Sequence, residues 1–434
     1  MRDDIKIIEI FKQLTKIPRC SKQYDNFIGY MQDIAKKYNY ICQVDKNNNI
    51  LCYKQNGNSK ICLQSHYDIV CLEDNTIPTI IEEDGYLKAV DSTLGADNGI
   101  GCAYMIALMQ EDIDAEFLFT SDEEIGLIGA NGIEFDLKSS YMLNLDSEEQ
   151  GDICIGCAGG VDIIAINSQS SYIENIEQKT LYEVEVSGLD GGHSGVDIDK
   201  NIPNAIKLLA KVLYECEAEL LDISGGQRIN SIPTYAKAII VSQKEPKTQN
   251  PNITIKKLNS TTQHYKKLDD NILKFLYIFA NGVRGYDQNL GVVLTSINLA
   301  IVKNNIDNIQ IELSARSMDN NELETIELET VALLESFNFD IKTYGKYPAW
   351  KPIQSNFTQY VLECYNKVIT NVTLGAIHAG LECAIMKQKY PNMQICSIGP
   401  NIYFPHSKNE KCEIASVNKI YQVIKQILDN KLKI

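Results

Sequence analysis

The chain has 434 residues, with 57 Asp plus Glu against 41 Lys plus Arg and a formal charge of −16; that acidic balance argues against nucleic acid or an anionic membrane surface as its partner. Composition is that of a globular protein, 44% hydrophobic and 23% charged, with length for about two or three domains. No stretch approaches the roughly 20 apolar residues of a membrane helix, and the opening MRDDIKIIEIFKQL lacks a secretory pattern. The 13 cysteines are an odd number scattered through element-like runs. They read as free, reduced thiols in a cytoplasmic protein.

Apolar positions at helical spacing (Ile7, Ile8, Phe11, Leu14) predict a helix over 4–18, and a second amphipathic helix follows over 24–38. Ile50–Tyr53, Ile61–Leu63 and Glu116–Thr120 read as short strands, with a small-residue helix at Gly99–Met109 between the last two. Strands alternating with helices predict an α/β sheet. Beyond Gly160 the texture changes. Val161–Ser168 and Leu181–Val186 alternate apolar and polar residues, as half-exposed antiparallel strands do. A helix over Ile202–Leu220, strands at 291–302 and Ile309–Ala315, a helix at Asn320–Phe337 and a strand at Phe339–Thr343 complete a separate α+β region. Residues 244–270 are polar and read as a surface excursion. A helix from Gln354 and a strand at Met393–Ile398 follow.

Five fragments carry chemistry. In Gln64-Ser65-His66-Tyr67-Asp68, after a strand, His66 and Asp68 face the same way because side chains alternate along an extended chain. An imidazole that binds metal needs its second nitrogen held, and a carboxylate does this; by itself such a pair is more often a pair of surface polar residues. Thr93-Leu94-Gly95-Ala96-Asp97-Asn98-Gly99 sets an Asp in a glycine-rich turn before a helix, which is also what a plain N-cap requires. Ser121-Asp122-Glu123-Glu124 follows the strand Glu116–Thr120. Adjacent carboxylates there repel one another unless cations or solvent intervene, and open α/β sheets gather ligands at the carboxyl ends of their strands. Asp146-Ser147-Glu148-Glu149 ends another apolar run, and Pro405-His406-Ser407 lies far downstream after a last strand. Two histidines and several carboxylates in this order suit a pair of Zn²⁺ ions with one bridging carboxylate. Cys154-Ile155-Gly156-Cys157 is set aside as metal or redox chemistry, since it sits in an apparent strand with no second such pair. Trp350, in YPAWKP, reads as hinge packing.

The strings SHYDIV, TLGADNGIG, TSDEEIGLIGA, LNLDSEEQGDICIGCAGG, SGLDGGHSGVDI, AIHAGLECAI and SIGPNIYFPHS resemble the co-catalytic zinc peptidases of the carboxypeptidase G and carnosinase superfamily. Within it they are similar to the aminoacyl-histidine dipeptidase branch, also called peptidase D. The resemblance runs from IPRCSK to the final helix and is thinnest across 240–290. It implies a discontinuous zinc-peptidase catalytic domain over 1–160 and 353–434, with an inserted α+β lid and dimerisation domain over 161–352. It implies that His66, Asp97 and Asp146 hold one zinc and Asp97, Glu124 and His406 the other, with Co²⁺ or Mn²⁺ as alternative ions. Asp68 would orient His66, Glu123 would be the general base for water activated between the metals, and His193 of GGHSG would reach the site of a second subunit in a homodimer. Asn230, Arg316, His378, Gly380 and Glu382 match substrate-side positions. Ala384 stands where relatives often carry Gly, and Tyr67 where they carry an aliphatic residue or Thr; neither is a ligand position. The expected activity is hydrolysis of dipeptides, Xaa-His or similar. A related amide hydrolase (aminoacylase, tripeptidase or carboxypeptidase) and a non-catalytic binding protein are the alternatives.

Overall fold

The computed structural model describes residues 3–72, 77–168, 170–173, 179–259, 265–305 and 307–429. The chain forms two compact units. One comprises Met1–Cys157, Trp350–Ala376 and Leu381–Ile434; the other comprises Ala158–Ala349 and Ile377–Gly380.

The first unit is a mixed α/β structure around an eight-stranded sheet. Its middle strands are Glu116–Thr120, Ile61–His66, Tyr141–Asn144 and Gln394–Ser397, parallel neighbours in that order. Ile50–Tyr53 flanks them antiparallel on one side and Asp152–Cys157 on the other. Parallel strands covered on both faces become continuous apolar runs, and Glu116–Thr120 is buried at every position. The connection from Ile61–His66 to Glu116–Thr120 contains the helix Ala96–Gln110, whose residues Ile100 to Met109 are all buried. A helix apolar all round belongs inside a core. Here Ile7, Phe11 and Leu14 of the first helix and Val417, Ile420 and Ile424 of the last share its cluster. Because the central strands run parallel, their carboxyl ends lie along one edge of the sheet. The helix spans Ala96–Gln110, with non-helical backbone at Asp97 and Asn98, so its continuous part starts at Gly99 as the small-residue run predicts.

The second unit is built on antiparallel strands in the order Ile253–Lys257, Thr180–Val186, Ala236–Ser242, Glu219–Gly225, Val292–Asn304, Ile309–Ser317, Gly159–Asn167 and Asp340–Tyr347. The helices Ala205–Glu215 and Asn320–Ser336 pack in its core. Two local expectations need correction. The helix expected over Ile202–Leu220 stops at Glu215, and Glu219–Gly225 is a strand. The polar stretch 244–270 is not wholly an excursion: Ile253–Lys257 is the edge strand and pairs with Thr180–Val186. Its alternation of Ile253 and Ile255 with polar residues suits an edge with one wet face. No described helix is long and apolar enough to cross a membrane.

The expectation of 13 free thiols is also corrected: Cys20 and Cys71 form a disulfide, while Cys154, Cys157 and nine other cysteines are free. The partners are 51 residues apart in sequence, so spacing could not reveal them. A bridge between Cys20 and Ile69 brings the Cα atoms of Cys20 and Cys71 to 5.7 Å, within the range a disulfide spans. Peptide mapping of protein alkylated without reduction is expected to recover the Cys20 and Cys71 peptides linked, with Cys154 and Cys157 as thiols; alkylated Cys20 and Cys71 in non-reduced protein would contradict the pairing.

Candidate active site

His66 is the last residue of its strand, and its imidazole is 1% exposed. Its Nδ1 lies 3.1 Å from the Asp68 carbonyl oxygen and 3.5 Å from the Asp68 carboxylate. That carboxylate also accepts from the Ser21 hydroxyl at 2.8 Å and from the backbone N–H groups of Glu123 and Glu124 at 3.0 and 3.3 Å. Asp68 therefore ties two strand ends together, and the hydrogen bonds keep it ionised, below the usual carboxylate range, although burial opposes this.

The other face of His66 presents Nε2 to Asp97 Oδ1 at 3.1 Å and Asp146 Oδ1 at 3.2 Å. The second Asp97 oxygen, Oδ2, lies 2.9 Å from His406 Nε2, which is also 3.0 Å from Glu124 Oε2. One carboxylate thus spans two imidazoles, and each imidazole has a further carboxylate of its own. The Asn98 amide donates to Asp146. His66, Asp97 and Glu124 offer donor atoms within 4.8 Å of one another, a group that could hold a metal ion.

The charges point the same way. Burial disfavours a charged His406, yet Asp97 and Glu124 outweigh it and raise its pKa to about 11. Burial likewise opposes a charged His66, and Asp146, Asp68 and Asp97 raise it well above the ordinary range. The surrounding carboxylates favour positive charge at this place, and metal binding at such a site releases protons from its ligands. Among the described residues Glu124 Oε1 is buried with no hydrogen-bond partner, as an oxygen facing a cation would be. The donor set, imidazole nitrogen and carboxylate oxygen, fits zinc or a similar divalent ion.

Glu123 follows Asp122 at the end of Glu116–Thr120. Loss of solvation first, then the negative charges of Glu124, Asp146 and Glu382, lift its pKa well above that of an ordinary Glu. Raising a carboxyl's pKa makes its carboxylate a stronger proton acceptor. Glu382 is 0% exposed. Its Oε2 accepts from Gln64 Nε2 at 2.5 Å and from the Thr120 hydroxyl at 2.6 Å, and burial raises its pKa to about 8.

The remaining expected residues lie in the second unit. His193 Nδ1 accepts from the backbone N–H of Gly195 at 3.2 Å and Val196 at 3.4 Å, so the neutral ring carries its proton on Nε2. His378 Nε2 meets the Ser296 hydroxyl at 2.8 Å, and Arg316 donates to Tyr347 Oη at 2.9 Å. Ser296 and Arg316 are cross-strand partners. A side chain at Gly380 would meet the Tyr347 ring at 2.9 Å, and one at Gly195 would meet the His378 carbonyl at 2.5 Å. His193, His378, Arg316 and Gly380 therefore form one connected patch. Asn230 is exposed beside it, its carbonyl accepting from Ser194 N–H. The fifth histidine, His264, lies outside the described residues.

Sequence reasoning assigned nothing to the segment Arg19–Tyr24 beyond its place in the resemblance. Arg19, 2% exposed, donates to the carbonyls of Tyr67 and Gly95 at 2.8 and 2.7 Å. Ser21 holds Asp68, while Lys22 N–H and the Tyr24 hydroxyl hold Asp122 at 2.7 and 2.5 Å. Only proximity in the fold reveals this role, as it does those of Ser296 and Tyr347.

Residues 62–430 match the sequence pattern described as peptidase family M20/M25/M40. The chain belongs to that family. It is 30% identical to the cytosol non-specific dipeptidase of Escherichia coli strain K12, over 97% of this chain and 96% of that protein. Among solved structures it is similar to aminoacylhistidine dipeptidase from Vibrio alginolyticus, at 28% identity and a TM-score of 0.82, covering 98% and 96% of the two chains. It shares its fold with aminopeptidase PepT from Bacillus cereus, at 16% identity and a TM-score of 0.61, covering 99% of each chain. The chain is accordingly a hydrolase of peptide bonds, of the aminoacyl-histidine dipeptidase branch.

His378 carries a pH signature. Burial, then the neighbouring Arg316, lowers its pKa from 6.5 to about 3. The unfolded chain binds this proton first, so the stabilising contribution is whole above the unfolded value and is lost as pH falls toward the folded one. At about 1.4 kcal/mol per pKa unit the loss is on the order of a few kcal/mol. Urea melts of His378→Gln between pH 7 and 4 are expected to show a shallower acid-side decline than the unsubstituted protein; equal slopes would remove His378 as the cause.

Proposed function

We propose that this M20-family peptidase is a two-zinc dipeptidase, cleaving Xaa-His or similar short peptides as a cytoplasmic homodimer. The observation that carries the reading is the Asp97 carboxylate, whose two oxygens face two different imidazoles. His66, Asp97 and Asp146 would hold one ion, and Asp97, Glu124 and His406 the other. Co²⁺ and Mn²⁺ accept the same donors. When bound, the ions supply Lewis-acid polarisation and lower the pKa of water toward neutrality.

The protein's own groups do the rest. Asp68 fixes the ring of His66 through Nδ1. Glu123 takes the proton of the attacking water and returns it to the leaving amine, the task its raised pKa prepares it for. In a homodimer His193, protonated on Nε2, would donate to the developing oxyanion at the other subunit's site, where electrostatic stabilisation counts most. Arg316 offers a planar match for the peptide's free carboxylate, held in orientation by Tyr347. Asn230, His378 and Gly380 would shape the same pocket. Glu382 has its Oε2 engaged by Gln64 and Thr120, while among the described residues its buried Oε1 has no hydrogen-bond partner; that oxygen would be the one to meet the substrate. The name of the E. coli relative supports a dipeptidase in the cytosol, and that of the Vibrio protein supports aminoacyl-histidine substrates.

A panel of dipeptides, tripeptides and acylated amino acids, assayed with and without chelator, separates the dipeptidase from the related amide hydrolases. Dipeptide cleavage abolished by chelator and restored by zinc is expected. Glu123→Gln is expected to keep its metal and lose about 10²–10⁴-fold in kcat; near-normal turnover would refute the general-base role.

The trans role of His193 is tested by mixing inactive His193→Ala and Glu123→Ala chains under subunit exchange. A mixed dimer then has one complete site, and about half of normal activity per mixed dimer is expected. Proven exchange without recovery would reject the trans role, and a monomeric active enzyme would reject the dimer.

A further inference from the structure

We propose that Glu410 is a positioning residue that sets the shared ligand Asp97, and with it the register between the two halves of the metal site. The proposal rests on the two-metal reading above. Glu410 is four residues beyond His406 in His406-Ser407-Lys408-Asn409-Glu410. It is 3% exposed, and its carboxylate is spent entirely on backbone. Oε2 accepts from the N–H of Leu94 at 2.7 Å and Gly95 at 3.0 Å; Oε1 accepts from Ala96 at 2.8 Å and Asp97 at 3.4 Å.

Four successive N–H groups converging on one anion need an unusual turn. Gly95 provides it at φ +67°, where a side chain would also meet Arg19 at 3.0 Å and Ile69 at 3.1 Å. On the other side of the same turn the Arg19 guanidinium holds the Gly95 carbonyl at 2.7 Å. The turn bearing Asp97 is thus gripped by an anion on its N–H groups and a cation on its carbonyl. The N–H groups opening the helix Ala96–Gln110 have no partner within the helix. Charge-assisted bonds to them are stronger than neutral ones.

Glu410 also anchors the loop that carries His406. That loop is locally bonded, Ser407 Oγ donating to the Phe404 carbonyl at 2.7 Å and accepting from Asn409 N–H at 3.1 Å. The His406 side chain is 49% exposed, so little packing fixes it. The buried Glu410 carboxylate fastens the loop to the Asp97 turn. One side chain therefore sets the spacing of two ligands that are 309 residues apart in sequence. A helix cap alone would stabilise the fold and leave metal affinity unchanged; a positioning group changes metal affinity in the folded protein.

The test uses Glu410→Gln, which keeps size and loses the charge and half of the acceptor capacity, and Glu410→Asp, which keeps the charge on a shorter arm. Apo-protein melting and circular dichroism report the fold. Zinc dissociation constants by chelator competition and the visible spectrum of the Co²⁺-loaded protein report the site. Glu410→Gln is expected to remain folded and bind zinc about 10–100-fold more weakly, with an altered Co²⁺ spectrum. Glu410→Asp should fall between, and excess metal should restore much of kcat with little change in KM. A lower melting temperature with normal zinc affinity and a normal Co²⁺ spectrum in both variants would overturn the proposal and leave a cap. Should Glu410→Gln not fold as apo-protein, the zinc affinity and Co²⁺ spectrum of Glu410→Asp alone distinguish a positioning group from a cap. Failure of the unsubstituted chain to bind two divalent ions would refute the two-metal reading itself, an outcome distinct from normal binding by the variants.

Discussion

The structure of the first unit turns on one carboxylate. Asp97 directs Oδ1 to His66 and Oδ2 to His406, so its backbone has to sit between two strand ends that the chain reaches hundreds of residues apart. Parallel pairing brings those ends to one edge of the sheet. The buried helix Ala96–Gln110 brings Asp97 to the same edge by filling the crossover between two neighbouring strands. Core packing of that helix and placement of the ligand are therefore one requirement.

Collecting so many carboxylates in a buried place is costly. The structure offsets the cost group by group, with a different device for each. Asp68 and Glu410 are satisfied by backbone N–H groups, Asp122 by Tyr24 and Lys22, and Glu382 by Gln64 and Thr120. Asp97, Glu124 and Asp146 have chiefly histidines to oppose them, and among the described residues Glu124 and Glu382 each keep one oxygen unpartnered. What separates the two sets is the kind of partner: fixed dipoles for the supporting groups, imidazoles for the groups read as ligands. On the two-metal reading, a divalent cation would supply the charge that opposes the second set.

The second unit uses milder chemistry. His193 is held in orientation by local N–H groups on Nδ1, His378 is kept neutral by burial and Arg316, and Arg316 itself leans on Tyr347. Oriented imidazoles and an oriented guanidinium are suited to recognising a carbonyl and a carboxylate. Antiparallel register supplies this patch: Ser296 lies opposite Arg316 in the large sheet, and His193 lies opposite Ser231 in a separate two-stranded one.

The sequence by itself determined the alternation of strand and helix in the first unit, the change of texture after Gly160, and the polar fragments at strand ends. These are local matters: side-chain periodicity and turn chemistry act over a few residues. It named the histidines and acids that the structure brings together, because motif spacing within each fragment is local too. It could not give the Cys20–Cys71 pair, the edge strand Ile253–Lys257, the clasp of Arg19–Tyr24 on three loops, or Glu410 under the Asp97 turn. Each depends on segments that meet only after the sheet has formed, and periodicity carries no record of which distant backbone groups a side chain will reach. Tertiary structure alone decided those contacts, since a buried charge takes its partners from whichever elements packing has already brought beside it.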